Sequence, residues 1–183
     1  MANIGLRGIK MAILDEATNE YSGGVTIGKA IKADIQISSN DVKLYAEDAV
    51  AESDQSFKSG KITIGVDDIS TENQGLALGH QVSEEGELIS RADDIAPYMG
   101  VGFYAVKKKN NKLKYRAIVF LKVQFSEPND TSETKGETVS FQTPSIEGSI
   151  LVNKNREWKK EKTFETEEEA IEYINEKLNI ETE

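Results

Sequence analysis

The sequence predicts a mainly β (α+β) fold: a β-sandwich or partly closed barrel with a flanking helix, plus a C-terminal helix. Three observations carry that expectation. The dominant hydrophobic period is two, helical signal is confined to two short stretches, and 183 residues with no cysteine suffice to bury a core without metal or disulfide support.

The elements follow in order. In "GKAIKADIQISS", Ile31, Ala33, Ile35 and Ile37 alternate with Lys32, Asp34, Gln36 and Ser38, so one strand carries an apolar and a polar face. Residues 39–59 then form a long connection with brief alternation at Val42, Leu44 and Ala46; so long a connection in a compact β domain is functional or disordered. "GKITIGVDD" resumes period two through Ile62, Ile64 and Val66. "ISTENQGLALGH" predicts a short helix with Ser70 or Thr71 as N-cap, Glu72 in its first turn and Gly79 as its stop. "PYMGVGFYAVKKKNNKLKYRAIVFLKVQF" predicts a hairpin: Met99, Val101, Phe103 and Ala105 lead to a turn at Asn110 and Asn111, and a return strand runs from Leu113 to Phe125. That return strand is roughly twice the usual strand length. "ETVSFQT" reads as a strand ended by Pro144, "SIEGSILV" as a second strand, and "NKNR" as a turn into "EWKKEKTF", where Trp158 alternates with lysines. "TEEEAIEYINEKL" combines a capping box, Thr166 with Glu169, with an apolar stripe of Ala170, Ile171, Ile174 and Leu178. Residues 1–152 are expected to form the β domain, and 153–183 a C-terminal extension of hairpin strand and helix packed on it.

Composition excludes several function classes. Lys+Arg 22 against Asp+Glu 32 leaves a net charge of -10, which disfavours gripping nucleic acid because phosphate binding needs clustered cations. Zero cysteines remove disulfide frameworks and thiolate zinc sites, and fit a reducing cytoplasm. No apolar run approaches the roughly 20 residues of a membrane span, and "MANIGLRGIKMAIL" lacks a signal-peptide cleavage pattern, so neither membrane insertion nor signal-driven export is expected.

The residues offer little for catalysis. His80 is the only imidazole and no serine or cysteine motif accompanies it, so a structural or merely exposed role is expected. The acidic pairs Asp67-Asp68, Glu84-Glu85 and Asp93-Asp94 lack calcium-loop spacing and read as loop and helix-start charge. "GVGF" at 100–103 lies inside an alternating strand, so its glycines mark a bend, a bulge or close approach of another backbone rather than a phosphate loop. Lys107, Lys108 and Lys109 read as a solvated hairpin tip. No catalytic, cofactor-binding or metal-ligating residue is predicted, and the chain is not expected to be an enzyme.

Five stretches in order, "NIGLRGIKMAILDE", "VKLYAEDAVAE", "ADDIAPYMGVGF", "QFSEP" and "KGETVSFQTPSIEGSI", resemble the major tail protein family of long-tailed bacteriophages, in its Gram-positive phage and prophage branch; they cover most of residues 2 to 152. The resemblance implies a tail-tube-like subunit of the virion tail, assembled in the host cytoplasm into stacked hexameric rings, with tape measure, tail-tip and terminator proteins as further partners. DNA would pass through the lumen without specific binding. By position, residues 39–59 match the family's inter-ring stacking loop, with Asp41, Leu44, Tyr45, Glu47, Asp48, Glu52, Asp54 and Phe57 as contact residues. Lys32, Asp34, Gln36, Lys61 and Thr63 would face the lumen, where an acidic lining would repel passing DNA. The loop is expected to be mobile in a monomer, ordering only against the next ring, with Leu44, Tyr45 and Phe57 as its anchors. The alternatives are a β-sandwich binding module, which should expose an aromatic platform, and the tube protein of a prophage-derived or secretion-type injection device.

Overall fold

The structure is a computed structural model that describes residues 2–46, 49–109, 112–128 and 143–181. Along the chain these form β1 (Ala2–Asp15), β2 (Glu20–Gly28), β3 (Ala30–Ser39), β4 (Val42–Ala46), β5 (Ala49–Asp54), β6 (Phe57–Val66), α1 (Thr71–Leu78), β7 (Gln81–Val82), β8 (Leu88–Ile89), β9 (Tyr98–Lys109), β10 (Lys112–Ser126), β11 (Ser145–Ile150), β12 (Lys159–Phe164) and α2 (Glu167–Leu178). The expected "ETVSFQT" strand and the Asn110-Asn111 turn lie outside the described residues.

The fold is β-rich α+β, as the sequence predicts. One large antiparallel sheet has the strand order β2-β1-β9-β10-β11-β6-β3, with β12 beside β10. No ladder joins β2 to β3, so the sheet is not closed into a barrel. Among the described residues one continuous sheet folds over its own core. Ile9, Met11 and Ile27 from one end of the strand order share a buried cluster with Ile62, Ile64 and Val66 from the other. Two-strand ladders β4-β5 and β7-β8 stand apart from this sheet.

The overlong strand predicted after the Asn-Asn turn is β10. Its one edge pairs with β9, while the other takes two partners in tandem, β12 along Tyr115 to Phe120 and β11 along Val123 to Ser126. Ile118, Phe120, Val123 and Phe125 enter the main core, and Ala117, Val119 and Leu121 enter a second cluster on the opposite face. Burial on both faces explains why "AIVFL" does not alternate.

The two helices begin and end as their capping residues dictate. Ser70 caps α1 by accepting from the Asn73 amide at 3.2 Å, and Gly79 closes it in the left-handed conformation (φ 76°). Thr166 and Glu169 complete the capping box of α2. Ala170, Ile174 and Leu178 are buried against the second cluster. Here the "GVGF" glycines find their reason: a Cβ on Gly100 would sit 2.5 Å from Leu178 Cδ2, and one on Gly102 2.6 Å from Ile174 Cγ2. Helix side chains, rather than another backbone, make the close approach. Trp158, entering β12, stacks on Phe57 at 4.6 Å with 9° between the rings.

Gly102→Ala is therefore expected to destabilise by about 1–3 kcal/mol through overpacking, and Ile174→Ala by about 2–5 kcal/mol through the cavity it leaves. In the double variant the Gly102 change should cost clearly less than it does alone, because the clashing atoms are gone. Denaturant midpoints of the four proteins check this; strict additivity would mean that α2 does not rest on Gly102.

Candidate functional site

The five residues expected on a lumen wall come together on one face of one ribbon. β3 and β6 pair with Asp34 opposite Thr63, Gln36 opposite Lys61 and Lys32 opposite Gly65. The other face of β6 buries Ile62, Ile64 and Val66, so the period-two pattern drives these polar residues outward. β11 extends the same face, setting Glu147 opposite Thr63 and Ser149 opposite Lys61. Lys61 Nζ lies 2.6 Å from Glu147, and Lys32 Nζ lies 3.3 Å from Asp34. The face therefore carries two cations against two carboxylates, each cation beside an acid. The negative excess of the chain does not reside on these positions.

The ribbon continues into a hairpin, where residues 39–59 were expected to form a mobile loop. β4 and β5 pair antiparallel, Val42 with Asp54, Lys43 with Ser53, Leu44 with Glu52, Tyr45 with Val50 and Ala46 with Ala49. The stretch is thus a β-hairpin rather than a structureless connection, because its backbone groups find partners in each other. At its base the Asn40 amide donates to the Ser56 carbonyl at 2.8 Å, beside Asp41. Glu47 and Asp48 lie outside the described residues. Phe57 opens β6, where, partly buried, it packs against the subunit's own core and stacks on Trp158.

The two end strands of the sheet are treated differently. Two carbonyls of β2 are occupied by amide side chains from the helices: Asn179 Nδ2, at the end of α2, donates to Tyr21 O at 3.0 Å, and Asn73 Nδ2, within α1, donates to Thr26 O at 2.9 Å. Along β3, no side chain among the described residues bonds to the outer edge, and Ile31 and Ile37 are 53% and 42% exposed. Among the described residues no strand pairs with the outer edge of β3, although β1 runs close to part of it, and an unpaired edge with exposed isoleucines is a template for pairing with another chain.

Away from the ribbon, His80 follows the α1 cap and its side chain is only 6% exposed. Nδ1 lies 2.7 Å from Asp94 Oδ2 and Nε2 contacts Glu127 Oε1, so both ring nitrogens face carboxylates, an arrangement that favours the imidazolium. Its pKa is raised, first by the hydrogen bond to Asp94 and then by that to Glu127. Asp94 is held below the usual carboxylate range by the Arg91 amide, 2.8 Å away, and by His80. The cluster ties the segment before β9 to the end of β10. Asp67 serves a turn, accepting from the Lys29 and Asp68 amides. Glu84 and Glu85 lie exposed in the turn between β7 and β8. Among the described residues no group of three or more His, Cys, Asp or Glu could hold a metal ion, and no helix is long and apolar enough to cross a membrane. A shallow cleft of about 410 Å³ between Tyr21, Leu121, Asn153 and Lys177 has its phenol locked: Tyr21 donates to Leu121 O at 2.7 Å, and burial, with Glu157 nearby, pushes its pKa up to about 12.

No family model matches the chain, and no curated protein matches it.

The His80 cluster gives a pH dependence of definite sign. A histidine whose folded pKa lies above 6.5 contributes stability that is complete below about pH 6.5 and is lost as pH rises through the folded value. Asp94, depressed below 3.8, contributes above that value and loses its share as pH falls through its folded pKa. The melting-temperature gap between the wild type and His80→Gln should be widest near pH 5.5 and shrink toward pH 9. A gap independent of pH would mean that His80 acts by packing alone.

Proposed function

We propose that the chain is a tail-tube subunit of a long-tailed bacteriophage or prophage, which self-assembles into stacked hexameric rings that conduct DNA. The observation that carries this reading is the β3-β6 ribbon: an edge with no strand paired to it among the described residues, a polar outer face and a hairpin continuing from it, in a chain whose ordered motifs resemble that family. A monomer gains nothing from an unprotected edge, whereas a ring uses it as a pairing surface. On this reading Lys32, Asp34, Gln36, Lys61 and Thr63 line the lumen. Because each lysine is already beside a carboxylate, the wall offers passing phosphates no run of free cations to adhere to. The β4-β5 hairpin then reaches between rings, with Asp41, Leu44, Tyr45, Glu47, Asp48, Glu52 and Asp54 as contact residues. The tape measure, tail-tip and terminator proteins are the further partners, and the virion tail is the location. A sugar- or peptide-binding module finds less support, since none of the exposed large hydrophobic residues among those described is aromatic.

Electron microscopy of the concentrated protein should reveal rings or hollow tubes of sixfold symmetry. Replacing residues 42–54 with a short Gly/Ser turn should leave the melting temperature nearly unchanged and yield single rings without tubes. Particles of another symmetry, or a chain that stays monomeric at every concentration and in the presence of a tail nucleus, would overturn the reading.

A further inference from the structure

The cations of this acidic chain are segregated. From Ile95 to Ser126 there is no carboxylate, while Lys107, Lys108, Lys109, Lys112, Lys114, Arg116 and Lys122 all fall there. Those nearer the body are matched within the subunit: Lys122 by Glu16, Arg116 by Glu161, and Lys114 by Glu165 at 2.7 Å. Those at the tip of the β9-β10 hairpin are not. Among the described residues no carboxylate lies within ion-pair distance of Lys107, Lys108 or Lys112; Glu165 feels Lys112 only through space. The register makes the tip costly. Lys112 pairs with Lys109 and Lys114 with Lys107, so lysines stand directly opposite lysines, an arrangement that destabilises a ladder. Beside them lie two exposed apolar side chains, Leu113 at 44% and Ile4 at 57%, the latter on the adjoining strand β1.

A complementary ribbon exists on the same chain. In β5, Glu52 and Asp54 occupy alternate positions, opposite Leu44 and Val42 of β4. By strand alternation Glu52 and Asp54 share one face of that ribbon, as Lys107 and Lys112 share one face of the tip, with Lys108 and Leu113 on the other. Within one subunit the two strands of this hairpin pair with each other and with no strand of the large sheet among the described residues. We propose that the face of the β9-β10 tip that carries Lys107 and Lys112 is the seat for the acidic face of the β4-β5 hairpin of a second copy of this chain. The contact joins two different patches, so it propagates from copy to copy instead of ending at a dimer. It deepens the tail-tube reading and rests on it for the identity of the assembly, though not for the contact itself.

The test mixes unlabelled and ¹⁵N-labelled full-length protein, treats it with a zero-length carbodiimide, and maps cross-links between differently labelled chains. Links from Lys107 or Lys112 to Glu52 or Asp54 are expected. Lys107→Glu with Lys112→Glu should raise the concentration needed for association about tenfold or more, given several exposed pairs. Glu52→Lys with Asp54→Lys should do the same, and combining all four changes should restore association. Each variant's melting temperature checks that it folds. Sixfold tubes whose mixed cross-links avoid the tip would overturn the seat and leave the tube reading standing. Tip-to-hairpin links in filaments without sixfold rings would support the seat and sink the tube reading. If the Lys107/Lys112 reversal leaves association unchanged but abolishes retention of duplex DNA, the tip is a nucleic-acid contact and the proposal is wrong.

Discussion

Everything in the subunit is arranged around a strand that has no free side. β10 is hydrogen-bonded along both edges, to β9 on one and to β12 and β11 in tandem on the other, and its middle is buried on both faces. A strand so placed exposes neither backbone nor side chain over its central residues, so any change there is felt in two cores at once. A register shift against β9 between Phe120 and Val123 moves the main-core positions from even to odd numbers. That irregularity allows one strand to pass from the partner β12 to the partner β11 without turning its apolar residues out.

The second core depends on α2 lying close to β9, and its position is fixed by polar contacts at both ends. Near its start, the Tyr104 hydroxyl donates to Glu167, and burial, reinforced by that carboxylate, pushes the phenol up to about 12. Toward its end, Lys10 Nζ donates to the buried Asn175 Oδ1 at 2.6 Å, and burial lowers the lysine's pKa. Asn179, in the left-handed conformation, ends the helix and bonds to β2. Apolar packing supplies the adhesion, while these groups allow only one sliding position along β9. Hydrogen bonds specify register better than hydrophobic contact because only one alignment satisfies them.

Legibility in the sequence follows the physics of each element. Ser70, Gly79, Thr166 and Glu169 signal helix ends because capping is a local interaction, and the ribbon face is legible because period two survives wherever one side is wet and the other buried. β1 escapes, although it runs for 14 residues, because register shifts break its parity against both neighbours. Gly8, with φ 64°, sits where a Cβ would be 2.7 Å from the Tyr104 ring. β2 is obscured by Gly23 and Gly24, the latter needed to admit Ile180. β4 and β5 pair only with each other, so the hydrophobic period has no large sheet to report. At the candidate site, Lys61 and Thr63 were readable as polar, but their neighbour Glu147 was not, since nothing local in the sequence links β6 to β11. The same holds for His80, whose partners lie 14 and 47 residues away.

The attachment of the β4-β5 hairpin has a mechanical consequence. Both of its legs continue directly into the sheet, one as β3 and the other as β6, so tension on the hairpin pulls the two legs the same way. The load then falls on the neighbouring ladder, from Gly65 opposite Ser145 to Gly60 opposite Ile150. Antiparallel hydrogen bonds run perpendicular to their strands, so a pull along β6 shears these rungs together instead of peeling them one by one. Ile62, Ile64 and Val66, seated in the core, resist the same slide. The hairpin is thus built as a handle that can bear force without unravelling the body it projects from.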